Sequence, residues 1–256
     1  MPIVTAPSLS SRSAQSYWAA ARSPRYSLVF ALPLLVLYEV LAAMRPGRGP
    51  LGDVRNGADV MLRSIFSLVA GAYGSMVFLG VVIVISLLLI RRDVRANGGV
   101  RTAVFLGMSA ESVGYALAFG LVVGTLTARL LGSVHALAIA GDAQQLDGTT
   151  KFVVSLGAGL YEELLFRVLL VSALSWIARA VFGWKRLSAG IFATLVGAVL
   201  FSAAHYVGPL GDRLGLQSFV FRAIGGVAFS ALYLTRGFGI TAWTHALYDV
   251  LLLSSS

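Results

Sequence analysis

Ionisable residues that could do chemistry cluster in the carboxyl-terminal part of the chain, inside segments that are otherwise apolar. They are Glu162, Glu163, Arg167, His205, His245 and Asp249. A charged side chain within a membrane-spanning helix costs about 2.5–3.5 kcal/mol on insertion scales and commonly marks a functional site. Carboxylates and histidines held together in apolar surroundings are suited to activating a water molecule. The pattern therefore predicts one polar site shared by three separated helices.

The spacing of these residues predicts how they pair. Glu163 and Arg167 are four residues apart, so on an α-helix they face the same way and can neutralise each other. Glu162 is rotated by about 100° from Glu163, which leaves it outside that ion pair and free to face another group. His245 and Asp249 are also four apart. We expect Asp249 either to accept a hydrogen bond from His245 and fix its tautomer, or to bind a metal with it.

Two histidines and a carboxylate match a hydrolytic zinc site in residue type, but the H-E-x-x-H helix of soluble zinc proteases is absent. Candidate metal ligands are Glu162, His205, His245 and Asp249, and the cofactor stays open between a zinc ion and none. The chain has no cysteine, which excludes disulfides and thiolate metal sites. Outside this set, we expect Glu39 and Glu111 to line the cavity or to pair with Arg222.

The elements that must position these residues are predicted to be membrane-spanning helices. The chain of 256 residues is 57% hydrophobic and only 12% charged, roughly half the charged fraction of a soluble domain. Its apolar blocks approach the ~20 residues of a spanning helix, and only helices satisfy the backbone of such segments in lipid. The fold is therefore predicted as an all-α, polytopic transmembrane helical bundle of about seven spans, with six to eight allowed. The predicted spans are 26–44, 66–90, 104–131, 152–182, 188–206, 216–235 and 239–253.

Three regions are predicted along the chain: a polar N-terminal segment (1–25), three N-terminal helices with their loops (26–149) and a catalytic core (150–253). Residues 59–64 are expected to form an interfacial turn, and residues 46–52 and 132–150 to form polar links. The fourth span is too long for one straight helix, so we expect it to break or to lie partly along the interface.

The net charge of +9 comes from basic residues in the links between apolar blocks, which is typical of membrane loops and not of a nucleic-acid surface. With seven spans, the side of the N-terminus carries 11 Lys and Arg residues and the other side seven. This bias predicts a cytoplasmic N-terminus. The 18 Arg and two Lys residues are typical of a GC-rich bacterial genome, so we expect the bacterial inner membrane.

Three motifs resemble a known family. Glu162-Glu163-Leu-Leu-Phe-Arg167 is similar to the E-E-x-x-x-R motif of the CAAX prenyl endopeptidase and bacteriocin-processing family of intramembrane proteases. Phe201-Ser-Ala-Ala-His205 resembles its F-x-x-x-H motif, and His245-Ala-Leu-Tyr-Asp249 its H-x-x-x-N/D motif. The resemblance covers about residues 150–253, and the first three spans match only as generic membrane helices.

The resemblance implies endoproteolysis of a membrane-associated protein or peptide. Glu162 would activate water with His205, and His245 with residue 249 would polarise the scissile carbonyl. An ionised Asp249 cannot donate to an oxyanion, so we expect it to orient His245 or to bind a metal. The ion pair of Glu163 and Arg167 is either structural or catalytic. Alternative functions are a proton- or ion-coupled transporter and a non-catalytic scaffold or immunity protein of the same fold.

Overall fold

The computed structural model describes residues 16–45, 54–131, 147–208 and 211–254. The predicted loop at 46–52, most of the link at 132–150 and most of the polar segment at 1–25 lie outside these ranges. In the described part of the predicted N-terminal segment, Tyr17–Ala21 form a short helix capped by Ser16.

Every regular element in the described ranges is helical, and no strand occurs there. The α-helices are α1 (Tyr17–Ala21), α2 (Pro24–Ala43), α3 (Gly57–Ala70), α4 (Gly74–Asn97), α5 (Thr102–Leu131), α6 (Gly148–Gly157), α7 (Ser172–Phe182), α8 (Arg186–Ala204), α9 (Leu216–Arg236) and α10 (Phe238–Ser254). A 3₁₀ turn, Gly71–Tyr73, joins α3 to α4. A π-helix, Ala158–Val171, joins α6 to α7 without a break.

Six helical segments in the described part of the chain are long and apolar enough to cross a membrane: Pro24–Ala43, Gly57–Asn97, Thr102–Leu131, Gly148–Phe182, Arg186–Ala204 and Leu216–Arg236. The distribution of side chains is the reverse of that in a soluble protein. Leu68 and Val69 are 87% and 91% exposed, whereas Arg63 and Arg167 are buried. The chain is therefore an integral membrane protein, and the predicted all-α bundle of about seven spans is confirmed.

Helix α10 has only 17 residues and is the buried centre of the bundle. It packs against α2, α5, α6 and the π-helix. Its own residues Ile240, Ala242 and Ala246 are almost fully enclosed. Because neighbouring helices surround it, α10 carries His245 into the middle of the protein.

The predicted second span, 66–90, is wrong as a single helix. The helix breaks at Gly71, whose φ of +54° ends α3 and favours glycine. A Cβ on Gly74 would overlap the backbone of Ser67, so α3 and α4 form a tight helical hairpin. The predicted interfacial turn at 59–64 is also wrong, because these residues lie within α3, where Asp59 and Arg63 are buried.

The fourth predicted span runs without interruption from Gly148 to Phe182. The expected break is replaced by the π-helix, whose wider turn is uncommon and is frequently found at functional sites. This segment ends at Gly183, which adopts the left-handed conformation with φ +65° that commonly ends helices. The π-helix carries Glu162, Glu163 and Arg167.

Candidate active site

Glu162 of the π-helix lies at the centre of the polar cluster. Its Oε2 atom is 3.9 Å from Nε2 of His205 and 3.9 Å from Nε2 of His245. His205 immediately follows the last residue of α8, and His245 lies in α10. Three separate segments thus bring one carboxylate oxygen midway between two imidazoles, as the sequence predicts.

The tautomer of His205 is fixed by the end of its own helix. Its Nδ1 atom lies 2.9 Å from the carbonyl oxygen of Phe201, and only an Nδ1–H group can donate to a carbonyl. In the neutral ring, Nε2 therefore presents a lone pair towards Glu162. The ring of Phe201 packs edge-on against the imidazole, with 4.9 Å between centroids, so one residue orients His205 through its carbonyl and its side chain.

His245 is oriented by Glu163 and not by Asp249. Its Nδ1 atom lies 2.7 Å from Oε1 of Glu163, whereas Nε2 is 3.6 Å from Oδ2 of Asp249, which is too long for a hydrogen bond. The expectation that Asp249 fixes the tautomer of His245 is therefore wrong. On the π-helix, Glu163 reaches the imidazole of α10, and this contact is tertiary, so helix periodicity does not predict it.

Glu163 also contacts Arg167, with 3.2 Å between Oε2 and Nε. Both side chains are enclosed, with exposed fractions of 0% and 1%. The guanidinium of Arg167 lies 4.3 Å from the ring centroid of Phe201 and 5.5 Å from that of Phe229, and such contacts stabilise a desolvated cation. The ion pair thus connects the His245 side of the site to the Phe201 side.

The polar cluster has an enclosed side and an accessible side. The Glu163 and His245 side chains are 0% and 5% exposed, whereas those of Glu162, His205 and Asp249 retain 12%, 26% and 22%. The partly exposed side chains therefore lie on one side of the cluster, while Glu163 and His245 are enclosed. Asp249 shares the accessible side with Glu162 and His205.

The donor set fits a divalent metal in type, with two imidazole Nε2 atoms and one carboxylate oxygen facing one another. Tetrahedral zinc bonds of about 2.0–2.1 Å place ligand atoms roughly 3.4 Å apart, and the observed separations are 3.9 Å. Among the described residues, no group of three or more His, Cys, Asp or Glu side chains has the geometry of a preformed metal site. A small inward movement of the three groups would be needed to bind zinc.

Two residues of this site are absent from the sequence prediction. Asn56 donates from Nδ2 to Oε1 of Glu162 over 2.9 Å, so Glu162 is not without a partner. The ring of Phe229 stacks on His245 with 4.2 Å between centroids. Asn56 precedes a helix with Asp59 in its first turn, which is a recognisable helix-start signal; no sequence signal pairs it with Glu162.

The expected partners of Glu39, Glu111 and Arg222 are wrong. Glu39 binds Arg63 with 2.5 Å between oxygen and nitrogen and accepts a hydrogen bond from Tyr161. Nε and Nη2 of Arg236 donate to the two carboxylate oxygens of Glu111, at 2.7 and 2.9 Å, and Arg222 pairs with Asp212. The carboxylate partners of Arg63, Arg236 and Arg222 thus lie outside the set of ionisable residues predicted for the site.

Comparison with known families supports the resemblance of the three motifs. The family model described as type II CAAX prenyl endopeptidase Rce1-like matches residues 149–251, which include all six ionisable residues singled out in the sequence. Comparisons with the curated proteins and with the solved structures found no match. The matched segment carries the three motifs that meet at one site, so residues 149–251 are similar to the CAAX prenyl endopeptidase and bacteriocin-processing family of proteases.

Proposed function

We propose that this protein is an intramembrane endopeptidase that hydrolyses a peptide bond in a membrane-associated protein or peptide. The observation that carries the proposal is the position of Glu162 Oε2, which lies 3.9 Å from Nε2 of both His205 and His245 on the accessible side of the cluster. A single water molecule at hydrogen-bonding distance can contact all three atoms. The match of residues 149–251 to a protease family supports peptide-bond chemistry over other uses of such a cluster.

In the proposed mechanism, Glu162 takes a proton from this water, and the water oxygen attacks the scissile carbonyl carbon. Nε2 of His205 accepts the second hydrogen bond of the water and orients it, because its Nδ1–H group is held by Phe201. Collapse of the tetrahedral intermediate breaks the C–N bond, and protonated Glu162 returns the proton to the leaving amine. Such general acid–base catalysis contributes about 10²–10⁴-fold to the rate.

His245 is proposed to stabilise the developing oxyanion. Its Nδ1 side is occupied by the carboxylate of Glu163 at 2.7 Å, which supports a positive imidazolium. In that form, Nε2–H donates towards the reacting carbonyl oxygen. Phe229 stacks on the ring and keeps it in place, so Glu163 and Phe229 are positioning residues and His245 makes the contact with the substrate.

The role proposed for Asp249 depends on whether a metal ion binds at the site. If zinc binds here, Glu162, His205, His245 and Asp249 would hold it, and the metal would lower the pKa of bound water and polarise the carbonyl. Without zinc, the carboxyl group of Asp249 lies 3.6 Å from Nε2 of His245 on the accessible side. Metal content of the purified protein, measured together with cleavage after chelation, assigns the catalytic class.

The proposed substrate reaches the site from the membrane side opposite to the N-terminus. Arg25 and Asp93 join the start of α2 to the end of α4, while Arg45 and Asp147 join the end of α2 to the start of α6. The continuous segment of α6, the π-helix and α7 therefore starts on the membrane side opposite to the N-terminus. Helix α8 crosses back to that side, and His205 lies at its end. The cytoplasmic N-terminus proposed from the loop charges, in a bacterial inner membrane, puts the opening on the extracytoplasmic side.

Cleavage of a panel of membrane-anchored peptides by the protein reconstituted in lipid vesicles tests this function. Glu162→Gln is expected to lower kcat by about 10²–10⁴-fold, and His205→Ala to lower it as well. The matched control is Asp93→Asn, which also replaces a buried carboxylate by its amide. Asp93 pairs with Arg25 away from the cluster. It should leave kcat unchanged.

Cleavage that persists at the native rate in both Glu162→Gln and His205→Ala would refute the mechanism. Vesicles loaded with a pH-sensitive dye test the transporter alternative in the same preparation. Proton-coupled uptake that depends on Glu162, without cleavage of any peptide, would favour the transporter. Absence of both peptide cleavage and proton-coupled uptake would favour the scaffold or immunity protein.

A further inference from the structure

Asn56 lies outside the segment that matches the protease family, yet it contacts the proposed base directly. It precedes α3 as its N-cap residue, and Nδ2 donates to Oε1 of Glu162 over 2.9 Å. The side chain is nearly enclosed, with 4% of the residue exposed. The N-terminal helices therefore supply a hydrogen bond to the carboxylate at the centre of the site.

The orientation of the Asn56 carboxamide follows from its role as a helix cap. Its Oδ1 atom accepts the backbone N–H group of Ala58 over 2.8 Å, which is the usual contact of an N-cap residue. An amide whose oxygen is used in this way must present its NH₂ group on the other side. The cap thus dictates that Asn56 acts as a donor towards Glu162.

A buried polar network holds Asn56 in place. Its backbone N–H group donates to Oη of Tyr38 over 3.0 Å, and Tyr38 donates in turn to Oδ2 of Asp59 over 2.8 Å. Asp59 is fully buried and accepts hydrogen bonds from Arg55 and Arg63 at 2.8 and 2.6 Å. Satisfied buried networks of this kind are rigid.

The last residue of α6, directly before the π-helix, lies very close to this network. A Cβ atom on Gly157 would lie 2.7 Å from Cβ of Asn56 and 2.5 Å from Cε2 of Tyr38. Only glycine permits this distance, which brings the carboxamide within reach of Glu162. With Oε1 engaged by Asn56, Oε2 is the oxygen that faces His205 and His245.

We propose that Asn56 is a positioning residue of the active site, holding the Glu162 carboxylate so that its second oxygen faces both histidines. This inference rests on the proposed protease function, and it makes the hairpin of α3 and α4, with α2, part of the catalytic unit. Asn56 does not touch the substrate. Its effect should therefore fall on kcat and not on KM.

Two substitutions separate this role from helix capping. Asn56→Ser keeps a good N-cap, but its hydroxyl is too short to reach Glu162. Asn56→Asp also keeps the cap and replaces the donor by an acceptor that repels the carboxylate. Loss of a hydrogen bond to a charged group predicts that kcat falls by about 10- to 100-fold in Asn56→Ser and further in Asn56→Asp, with KM within about twofold in both.

The matched control is Asp147→Asn, the reverse exchange at the N-cap of α6, whose carboxylate accepts from the N–H groups of Thr149 and Thr150. It should retain the wild-type kcat. The melting temperature of each variant in detergent is measured alongside. An Asn56→Ser variant that has the wild-type melting temperature but a tenfold lower kcat supports the positioning role.

Wild-type kcat in both Asn56→Ser and Asn56→Asp, while Glu162→Gln is inactive, would overturn the inference and leave the protease function standing. If Asn56→Asp does not fold, Asn56→Ser alone decides between these results. A wild-type protein that cleaves none of the peptides would instead count against the protease function itself. The two failures are therefore distinguishable.

Discussion

Substitution of Gly159, a residue without any functional group, should disable the site by displacing a helix. Gly159 lies in the π-helix, and an added Cβ would come within 2.6 Å of both the backbone nitrogen and Cβ of Ala246 in α10. Ordinary contacts between carbon atoms are about 3.5–4.0 Å. Gly159→Ala therefore requires α10 to move by roughly 1 Å, because the clash includes backbone atoms that cannot rotate away.

The consequence for the site follows from the neighbouring residue of α10. His245 precedes Ala246, so a shift of about 1 Å would lengthen its 2.7 Å contact with Glu163 beyond hydrogen-bonding distance. Overpacking typically costs about 1–3 kcal/mol of stability, and a 1 Å misplacement of a catalytic group can cost about 10²-fold in rate. We expect both effects in Gly159→Ala, measured as a lower melting temperature and a lower kcat.

The matched control is Gly190→Ala in α8, where an added Cβ meets nothing within 4 Å. Alanine is the better helix former by roughly 0.5–1 kcal/mol, so this variant should melt at the wild-type temperature or above it and retain activity. Gly159→Ala that equals the Gly190→Ala control in both measurements would refute the packing of the π-helix against α10.

The remaining predictions concern topology and the buried network. Because the chain lacks cysteine, Val207→Cys and Ala96→Cys are expected to react with an impermeant maleimide from opposite sides of the membrane; labelling from one side contradicts the helix order. Tyr38→Phe removes the hydroxyl group that contacts Asp59 and should lower the free energy of unfolding by about 1–3 kcal/mol. Tyr73→Phe, at a 70% exposed position, should not, and equal stabilities would contradict the network.

Much of the site was predictable because ionisable residues within membrane-spanning helices cost free energy. Glu162, His205 and His245 interrupt apolar helices, and lipid tolerates such groups mainly when they serve a function. The same reasoning fails for Asn56, which follows a loop, where an asparagine is ordinary as a helix cap. The pairing of Glu163 with His245, in place of Asp249, depends on how the π-helix rotates against α10, and the i, i+4 rule describes only contacts within one helix.

The sequence by itself determined the membrane environment, the helical class and the identity of the ionisable residues, because hydrophobicity, backbone satisfaction and the cost of buried charge act locally along the chain. Tertiary structure alone decided which atoms meet. The close approach at Gly157 and Gly159, the break at Gly71 and the π-helix at Ala158–Val171 set distances between helices, and these distances depend on packing between segments far apart in the chain.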